Sequence, residues 1–517
     1  MAERTVARTV VRTAAVVAAV TVVARLVGFL RTAVLGRVLG ATFLGDTYTA
    51  TNALPNVVYE IVAGGALAGL VVPVLAGVDA ETARRSAGAL LSWTVLVLSP
   101  LALLGVVFRR PLAELLLGAS PQAAAQVDVG ARFLAVFAPQ VVLYGIGIVC
   151  TGMLQSNRRF LAAALAPLFS SVVVIGAYLT FAGTGSGREI DTVTHSGELL
   201  LAVGTTLGVV ALTLTVAVPV LTGSAGWRPR PSLRFPPGVA PRVRRLALAG
   251  VVGVGAQQVS MFVALRLAAG ERGAVVVFTL GTAVFLLPWA VLAVPVATSS
   301  FPELSTAASA GDETGYASVA RSGLRLVLLC GFAGAGLLVA VASPLARLLL
   351  EAAPGAGVAE LRRAVVAFAP GLPGYAVLAF ATRALYARNR SRAAAVATSG
   401  GWLVVVAADI VLVLLAPDGW RGAALGAGNA IGMTVAGLGL LVAVRRAAGA
   451  AAVSGLVRAA GTGLVAAAAG AALGVLGGSL VAASLPALVL ATVLGLLGLV
   501  AVLAVLDRAE LTRLVGR

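Results

Sequence analysis

Two arginines lie inside the first long apolar run of the chain. Arg25 and Arg31 are six residues apart, and Gly28 between them permits a hinge or a close backbone approach. On a helix this spacing places the two guanidinium groups about 120° apart, so both can face one cavity. Arginine binds phosphate through paired hydrogen bonds, which predicts a site for a phosphate-bearing ligand. The structural alternatives are interfacial placement of Arg31 and an ion pair of Arg25 with Glu60 or Asp46.

The second apolar run carries polar residues around a proline. Asp46 begins this run, Pro55 and Asn56 interrupt it, and Glu60 follows one turn later. Proline frees a backbone carbonyl, which a membrane helix tolerates where it lines a wet cavity. Pro288 stands at the matching place in the second half of the chain. We predict that Asp46, Asn56 and Glu60 line a substrate cavity and that both prolines mark kinks; kinks that serve packing alone are the alternative.

Few other residues could carry chemistry. Asp409 is an isolated acid in a later apolar run, where it would bind a coupling cation or hydrogen-bond a neighbouring helix. Cys150 and Cys330 both lie in apolar runs, and His195, the single histidine, has no cysteine nearby, so we predict no metal site. Every basic residue is arginine, which excludes the lysine of a Walker A ATP site. We expect no cofactor, no catalytic residue and no enzyme activity, and that any work comes from the membrane potential or an ion gradient.

The composition defines the class of protein that must position these residues. Of 517 residues, 60% are hydrophobic and 11% are charged, and the mean hydropathy is +1.02. A soluble domain does not reach these values, and apolar runs of about 20 residues, enough to span a bilayer as helices, recur along the whole chain. The formal charge of +18 is spread between these runs, which disfavours a nucleic-acid partner.

The apolar runs predict an all-α integral membrane protein with about 14 transmembrane helices. We expect these to start near residues 12, 48, 87, 131, 160, 198, 244, 274, 322, 363, 393, 422, 456 and 485. Arginine-rich connections alternate with connections of mixed charge, which predicts that both termini are cytoplasmic. The arginine-rich connections fall at 155–159, 228–245, 388–392 and 445–446.

An internal repeat divides the chain. Seven positions recur at a constant offset of 231: Phe137, Ala138, Pro139, Tyr144, Thr151, Leu154 and Arg159 match Phe368, Ala369, Pro370, Tyr375, Thr382, Leu385 and Arg390. Leu54-Pro55 matches Leu287-Pro288 at an offset of 233. A shift of six spans preserves orientation, so we predict two parallel six-helix repeats that form a V-shaped central cavity, followed by two C-terminal helices. Such an architecture is typical of transporters, and a scaffold with a historical duplication is the alternative.

These features predict four segments. Residues 1–225 form an N-terminal six-helix lobe, 226–243 an Arg/Pro-rich cytoplasmic linker, and 244–448 a C-terminal six-helix lobe. Residues 449–517 contain helices 13 and 14 and a short cytoplasmic tail.

The N-terminal motifs resemble those of the MurJ/MviN family of lipid II flippases. This family belongs to the multidrug/oligosaccharidyl-lipid/polysaccharide exporter superfamily, and the form of the motifs here is similar to that of an actinobacterial branch. The motifs are Arg25-Leu-Val-Gly-Phe-Leu-Arg31, Gly40-Ala with Asp46, Leu54-Pro-Asn56, Gly65-Ala66 and Val72-Pro73. Pro288 through Ser305 also resembles that family's eighth span. With the span count and the repeat, the resemblance covers nearly the whole chain.

The resemblance implies a flippase in the bacterial plasma membrane. Lipid II, the undecaprenyl-diphosphate-linked peptidoglycan precursor, would move from the inner to the outer leaflet by alternating access, and Arg25, Arg31 and Asp46 match charged positions that the family needs. Cell-wall synthesis enzymes are implied as further partners. The chain departs from the family at two places. Many members have two arginines soon after Leu-Pro-Asn, where this chain has Tyr59 and Glu60. Many also have an Asp-Arg pair shortly before the later proline, where this chain has Thr282 and Ala283.

Three functions therefore remain open at the level of the sequence. The first is lipid II translocation. The second keeps the fold and changes the cargo to another polyprenyl-linked saccharide or a small cationic drug. The third is a cell-wall scaffold that transports nothing.

Overall fold

The structure is a computed structural model that describes residues 2–61, 71, 74–75, 78–157, 159–223, 228–236, 239–350 and 356–506. For residues 2–15, 18, 241–242 and 244–253 it describes the backbone alone. Gly65-Ala66 and Val72-Pro73 of the family motif, and part of the predicted linker 226–243, lie outside the described residues. Within the described ranges the regular structure is entirely helical, which confirms the all-α fold.

Nineteen α-helices follow one another along the described part of the chain. They are α1 Ala2–Val38, α2 Phe43–Glu60, α3 Ala80–Val107, α4 Arg109–Leu117, α5 Ala123–Phe137, α6 Gln140–Ser156, α7 Phe160–Gly183, α8 His195–Leu221, α9 Val239–Ala268, α10 Ala274–Pro288, α11 Val294–Ser299, α12 Phe301–Ser309, α13 Glu313–Leu350, α14 Ala356–Phe368, α15 Leu372–Ala387, α16 Ser391–Leu415, α17 Arg421–Ala448, α18 Leu456–Ser479 and α19 Ser484–Leu506. A π-helix, Trp289–Ala293, joins α10 to α11, and short 3₁₀ turns cover Ala369–Gly371 and Ala450–Val453.

Twelve helical segments of the described chain are long and apolar enough to cross a membrane. Several begin within three residues of their predicted starts, as Phe160–Gly183, Ser391–Leu415 and Ser484–Leu506 do. The two other predicted spans, near residues 48 and 244, fall within α2 and α9, which are helices of 18 and 30 residues. The chain is therefore a multi-pass membrane protein of the predicted fold class.

Contacts within the chain define two compact units, Met1–Phe262 and Val263–Arg517, with the boundary inside α9. The core of the first unit joins the end of α1 to α2, α5, α7 and α8 through buried residues such as Leu39, Phe133 and Phe181. The core of the second unit lies among α13, α15, α17, α18 and α19, where Leu324, Phe380 and Leu440 are buried. The four predicted segment boundaries stay a prediction.

The repeated motif ends in the same backbone geometry in both units. After α6, the N–H of Arg159 donates to the carbonyl of Leu154 at 2.8 Å. After α15, the N–H of Arg390 donates to the carbonyl of Leu385, also at 2.8 Å. These residues are paired by the offset of 231, so the repeat that the sequence predicts extends to the way its helices end.

Candidate functional site

A tight turn after α1 positions the first helices of the site. Gly40 has φ = +68°, a left-handed conformation that favours glycine. Two residues later the Thr42 hydroxyl accepts a hydrogen bond from the N–H of Gly45 at 3.0 Å and caps α2. Asp46 is buried in the first turn of α2, where the partial positive charge of the helix N-terminus favours a carboxylate. The turn therefore fixes α2 directly after the helix that carries Arg25 and Arg31.

Tyr48, on the second turn of α2, is the centre of a buried hydrogen-bond network. Its hydroxyl lies 2.8 Å from the hydroxyl of Tyr178 on α7 and 2.6 Å from that of Thr205 on α8. Its ring meets Phe133, Phe137 and Tyr178 edge-on, with each pair of ring centroids 5.9 Å apart. Tyr48 is 1% exposed, so its position is determined by three other helices.

A second tyrosine pair joins the end of α2, just after its proline, to α6. Asn56 accepts a hydrogen bond from the hydroxyl of Tyr144 on α6, with 3.0 Å between oxygens. The ring of Tyr59 packs on that of Tyr144 with centroids 4.6 Å apart. Pro55 is buried inside the continuous helix α2, so Asn56 and Tyr59 extend from the helix just past the missing backbone donor.

Arg31 supplies the positive charge of this region. Its side chain is half-buried, and its positive charge lies within coulombic range of Tyr48, Tyr144 and Tyr178. We call Arg31, Asn56 and the four tyrosines 48, 59, 144 and 178 the tyrosine cluster. It combines one cation with several hydroxyl groups and one amide group. The half-buried guanidinium of Arg31 is the donor of this set that suits an anionic ligand with oxygen acceptors, whereas the buried hydroxyls of Tyr48 and Tyr178 bond to one another.

The other predicted site residues of the first unit lie in different surroundings. Arg25 and Glu60 are exposed, and within the described part of the chain neither forms an ion pair with an opposite charge within 4 Å. The helix α1 runs through Gly28 without a break, and a Cβ atom added there would meet nothing closer than Ser171 Oγ at 4.0 Å. The structure therefore brings Arg31 and Asn56 to the tyrosine cluster and leaves Arg25 and Glu60 on the surface of the unit.

The second unit has a proline and a tyrosine at the positions that match Pro55 and Tyr144. Helix α10 ends at Pro288, and the π-helix Trp289–Ala293 follows directly. Tyr375, which matches Tyr144, packs on Trp289 with ring centroids 4.9 Å apart and on Phe285 at 5.6 Å. Trp289 stands where the offset of 233 places Asn56, so an indole ring takes the place of the asparagine amide next to the matching tyrosine.

Asp409 is buried in the second unit on α16. Its side chain faces α17, where its Oδ1 lies 2.0 Å from the place that a Cβ atom on Gly428 would take. That oxygen has no hydrogen-bond partner in the described structure. Elsewhere among the described residues, no group of three or more His, Cys, Asp or Glu side chains could hold a metal ion.

The sequence did not single out the tyrosines as site residues. Tyr144 was part of the repeat, and Tyr59 was noted only as a departure from a family pattern. Tyr48 and Tyr178 are 130 residues apart in the chain, and their hydrogen bond depends on the packing of α2 against α7. The signal in the sequence was the position of Tyr48 and Tyr59 on the same helix as Asn56, a helix already expected to line a cavity.

Known proteins are similar to this chain in sequence. The profile of the family described as "Lipid II flippase MurJ" matches residues 35–497. A Rhizobium meliloti (strain 1021) protein named "Probable lipid II flippase MurJ" is 28% identical over 345 residues, which are 63% of this chain and 61% of that protein. The chain thus matches somewhat less than two thirds of the length of that relative. The "Lipid II flippase MurJ" of Burkholderia cenocepacia is 24% identical over 427 residues, 81% of each chain.

Solved structures show the same architecture. A lipid II flippase MurJ in an inward closed conformation has a TM-score of 0.79 at 15% identity and covers 96% of this chain and 99% of its own. An inward-facing multidrug resistance MATE family transporter of the MOP superfamily has a TM-score of 0.68 at 17% identity, over 84% of this chain and 99% of its own.

The helices and their order define a multi-pass membrane protein with the fold shared by these transporters. Within that class, the profile match over most of the chain decides the family. The chain belongs to the lipid II flippase MurJ family.

Proposed function

We propose that this protein translocates lipid II, the undecaprenyl-diphosphate-linked peptidoglycan precursor, from the inner to the outer leaflet of the bacterial plasma membrane by alternating access. Membership of the MurJ family and the names of its relatives support this cargo. The paired repeat supports the mechanism, because two similar helical units can rock against one another. The proposal makes the protein a transporter that acts without a cofactor.

The observation that carries the proposal is the position of Arg31 in the tyrosine cluster. A diphosphate that enters a membrane protein loses its hydration and needs donors that replace the lost water. Arg31 offers a half-buried guanidinium within coulombic range of Tyr48, Tyr144 and Tyr178. The same positive charge disfavours a cationic drug as cargo. We therefore propose that Arg31 and Asn56 contact the headgroup and that Arg25, exposed on the same helix, attracts it.

Asp409 is the residue we propose for energy coupling. A buried carboxylate with an oxygen that lacks a partner is costly unless it is protonated or meets a cation. Either a proton or a metal cation could neutralise it in one state of the cycle and leave in another. With cytoplasmic termini, as the arginine-rich connections predict, the membrane potential would act on that charge. Enzymes of cell-wall synthesis would supply and consume the cargo.

Charge reversal at Arg31 tests the proposal. In a strain depleted of the protein, a wild-type copy should restore lipid II on the outer leaflet, and Arg31→Glu should reduce it at least about tenfold because a repulsive charge then faces the diphosphate. Arg392→Glu is the matched control, since Arg392 is exposed at the start of α16 and outside the cluster.

Protein level in the membrane and thermal unfolding in detergent must be equal for the three proteins. The proposal fails if folded Arg31→Glu protein restores outer-leaflet lipid II as the wild type does. It also fails if the depleted strain still exposes lipid II.

A further inference from the structure

An apolar pocket lies in the first unit, next to Pro55 of α2. Its volume is about 390 Å³, which falls within the range of about 300–1,000 Å³ typical of ligand pockets. Helix α2 forms one wall through Leu54, Pro55, Val57 and Val58. The remaining lining comes from α3, α4 and the junction of α5 with α6: Leu101, Ala102, Leu104, Gly105, Phe108, Leu112, Leu134, Ala138 and Val141.

The lining of this pocket selects a hydrocarbon ligand. Every lining residue is apolar, so a polar headgroup would lose its hydration there without gaining a partner. The rim residues Leu101 and Leu104 of α3 are 43% and 50% exposed, and Phe108, directly after α3, is 51% exposed. On a helix that is long and apolar enough to cross the membrane, exposed leucines face lipid. The pocket is therefore open to the hydrocarbon of the bilayer.

A positive charge stands at the end of this pocket. Phe108 and Leu112 line the pocket, and Arg109 and Arg110 between them begin α4 where the apolar helix α3 ends. Arg110 is neutralised by Asp128 at 2.9 Å and Glu114 at 3.5 Å. Arg109 is exposed, and its guanidinium donates only to the carbonyl of Val106, at 3.3 Å, in the described structure. Its charge is left available for an anion at the membrane surface.

We propose that this pocket binds one acyl chain of an anionic phospholipid of the bilayer, with the lipid phosphate on Arg109. The acyl chain lies along Pro55 and Val58 of α2 and enters past Leu104 of α3. An apolar wall that is followed along the chain by an exposed arginine matches the order of acyl chain and headgroup in a phospholipid. This site is separate from the tyrosine cluster and does not depend on the proposed cargo.

Photolabelling in lipid nanodiscs tests the site. The probe is phosphatidylglycerol with a diazirine in its acyl chain, and mass spectrometry maps the labelled peptides. Label should concentrate on Leu54–Val58 and Leu101–Phe108, and Leu104→Trp should lower it about tenfold because the larger ring displaces part of the chain. Leu103→Trp is the matched control: Leu103 is the neighbouring residue, is 63% exposed and does not line the pocket. Val58→Trp repeats the test from the opposite wall.

Headgroup selection is measured with phosphatidylcholine that carries the same chain. The wild type should be labelled more strongly by phosphatidylglycerol, and Arg109→Gln should remove that preference, whereas Arg362→Gln, at an exposed arginine of α14, should keep it. Equal labelling of Leu104→Trp and Leu103→Trp would contradict lipid binding in the pocket, since the probe would then lie only in the annular lipid around the protein. Displacement of the probe by a prenyl diphosphate, but not by phosphatidylglycerol, would overturn the phospholipid assignment.

Discussion

Tyr144 and Tyr375 occupy equivalent positions of the repeat and have different neighbours. Tyr144 donates to Asn56 and lies within reach of the charge of Arg31, whereas Tyr375 packs on Trp289 and Phe285. Both copies of the repeat therefore place a tyrosine near a proline, but the side chains that contact this tyrosine differ. The polar version belongs to the first unit, which also carries both arginines of the first span. At the residue scale, the first unit holds the groups suited to an anion.

The hydrogen bond between Tyr144 and Asn56 gives the first prediction. Tyr144→Phe should lower the free energy of unfolding by about 0.5–1.5 kcal/mol, because it leaves the Asn56 oxygen without its donor. Asn56→Ala should cost a similar amount, and the double variant should cost less than the sum of the two. Chemical denaturation of the purified protein measures the three values. Strictly additive effects would show that the two side chains do not interact.

At the scale of the helices, α16 and α17 pack through glycine. A Cβ atom on Gly428 would lie 2.0 Å from Asp409 Oδ1, and one on Gly432 would lie 2.2 Å from Val405 Cγ2 and 2.7 Å from the carbonyl of Gly401. The absence of side chains lets the two helices approach closely, as small residues do at many membrane helix interfaces. The same approach holds Asp409 against the backbone of α17. The position of the proposed coupling residue therefore depends on glycine.

Gly428→Ala should separate these helices and lower the free energy of unfolding by about 1–3 kcal/mol, as overpacking of a close interface does. Gly439→Ala is the matched control on the same helix, since its Cβ would meet Ala397 Cβ at an ordinary 3.5 Å. That variant should be neutral or more stable by up to about 1 kcal/mol, because alanine favours helix. Thermal unfolding in one detergent compares them. Equal effects of the two changes would contradict a close contact at Gly428.

Helix α13 begins at an exposed aspartate whose ionisation should stabilise its first turn. The backbone N–H of Gly315, and then the Thr314 hydroxyl, donate to Asp312, and these bonds lower the pKa of its carboxyl below the usual range. A lowered pKa in the folded state means that the stabilisation is complete above the unfolded pKa of about 3.9 and is lost as pH falls through the folded value.

Hydrogen exchange of the amides at 313–316 should therefore accelerate as pH falls below about 4, beyond the intrinsic dependence of exchange. Asp312→Asn keeps a capping side chain and has no charge to lose, so its protection should not show this additional change. A wild-type protein with the same profile as the asparagine variant would contradict the role of the carboxylate.

At the scale of the molecule, the sequence predicted the fold well because a membrane imposes its thickness on each helix. Apolar runs located the spans, and the offset of 231 identified helices that end alike. The sequence predicted less of the site. Arg25 and Glu60 are exposed on the first unit, and their place in a substrate cavity stays a prediction. The tyrosine cluster combines α1, α2, α6 and α7, and only tertiary packing brings residues as distant as Tyr48 and Tyr178 together.

The orientation of the chain in the membrane is a prediction for the whole molecule. The connection at 184–194 follows the fifth predicted span and should face the outside, whereas the arginine-rich stretch at 228–236 should face the cytoplasm. The native thiols Cys150 and Cys330 are buried, so a protein with both replaced by alanine gives a clean background for single cysteines. Asp191→Cys and Leu233→Cys then report on the two faces, because both positions are exposed.

An impermeant maleimide added to intact cells should label the cysteine at position 191 and spare the one at position 233, and after permeabilisation it should label both. This result places the N-terminus on the cytoplasmic side, where a lipid precursor made in the cytoplasm begins its path. Labelling of position 233 alone in intact cells would show that the protein has the opposite orientation in the membrane. The proposed movement from the inner to the outer leaflet would then start on the face opposite to the one that the charge distribution predicts.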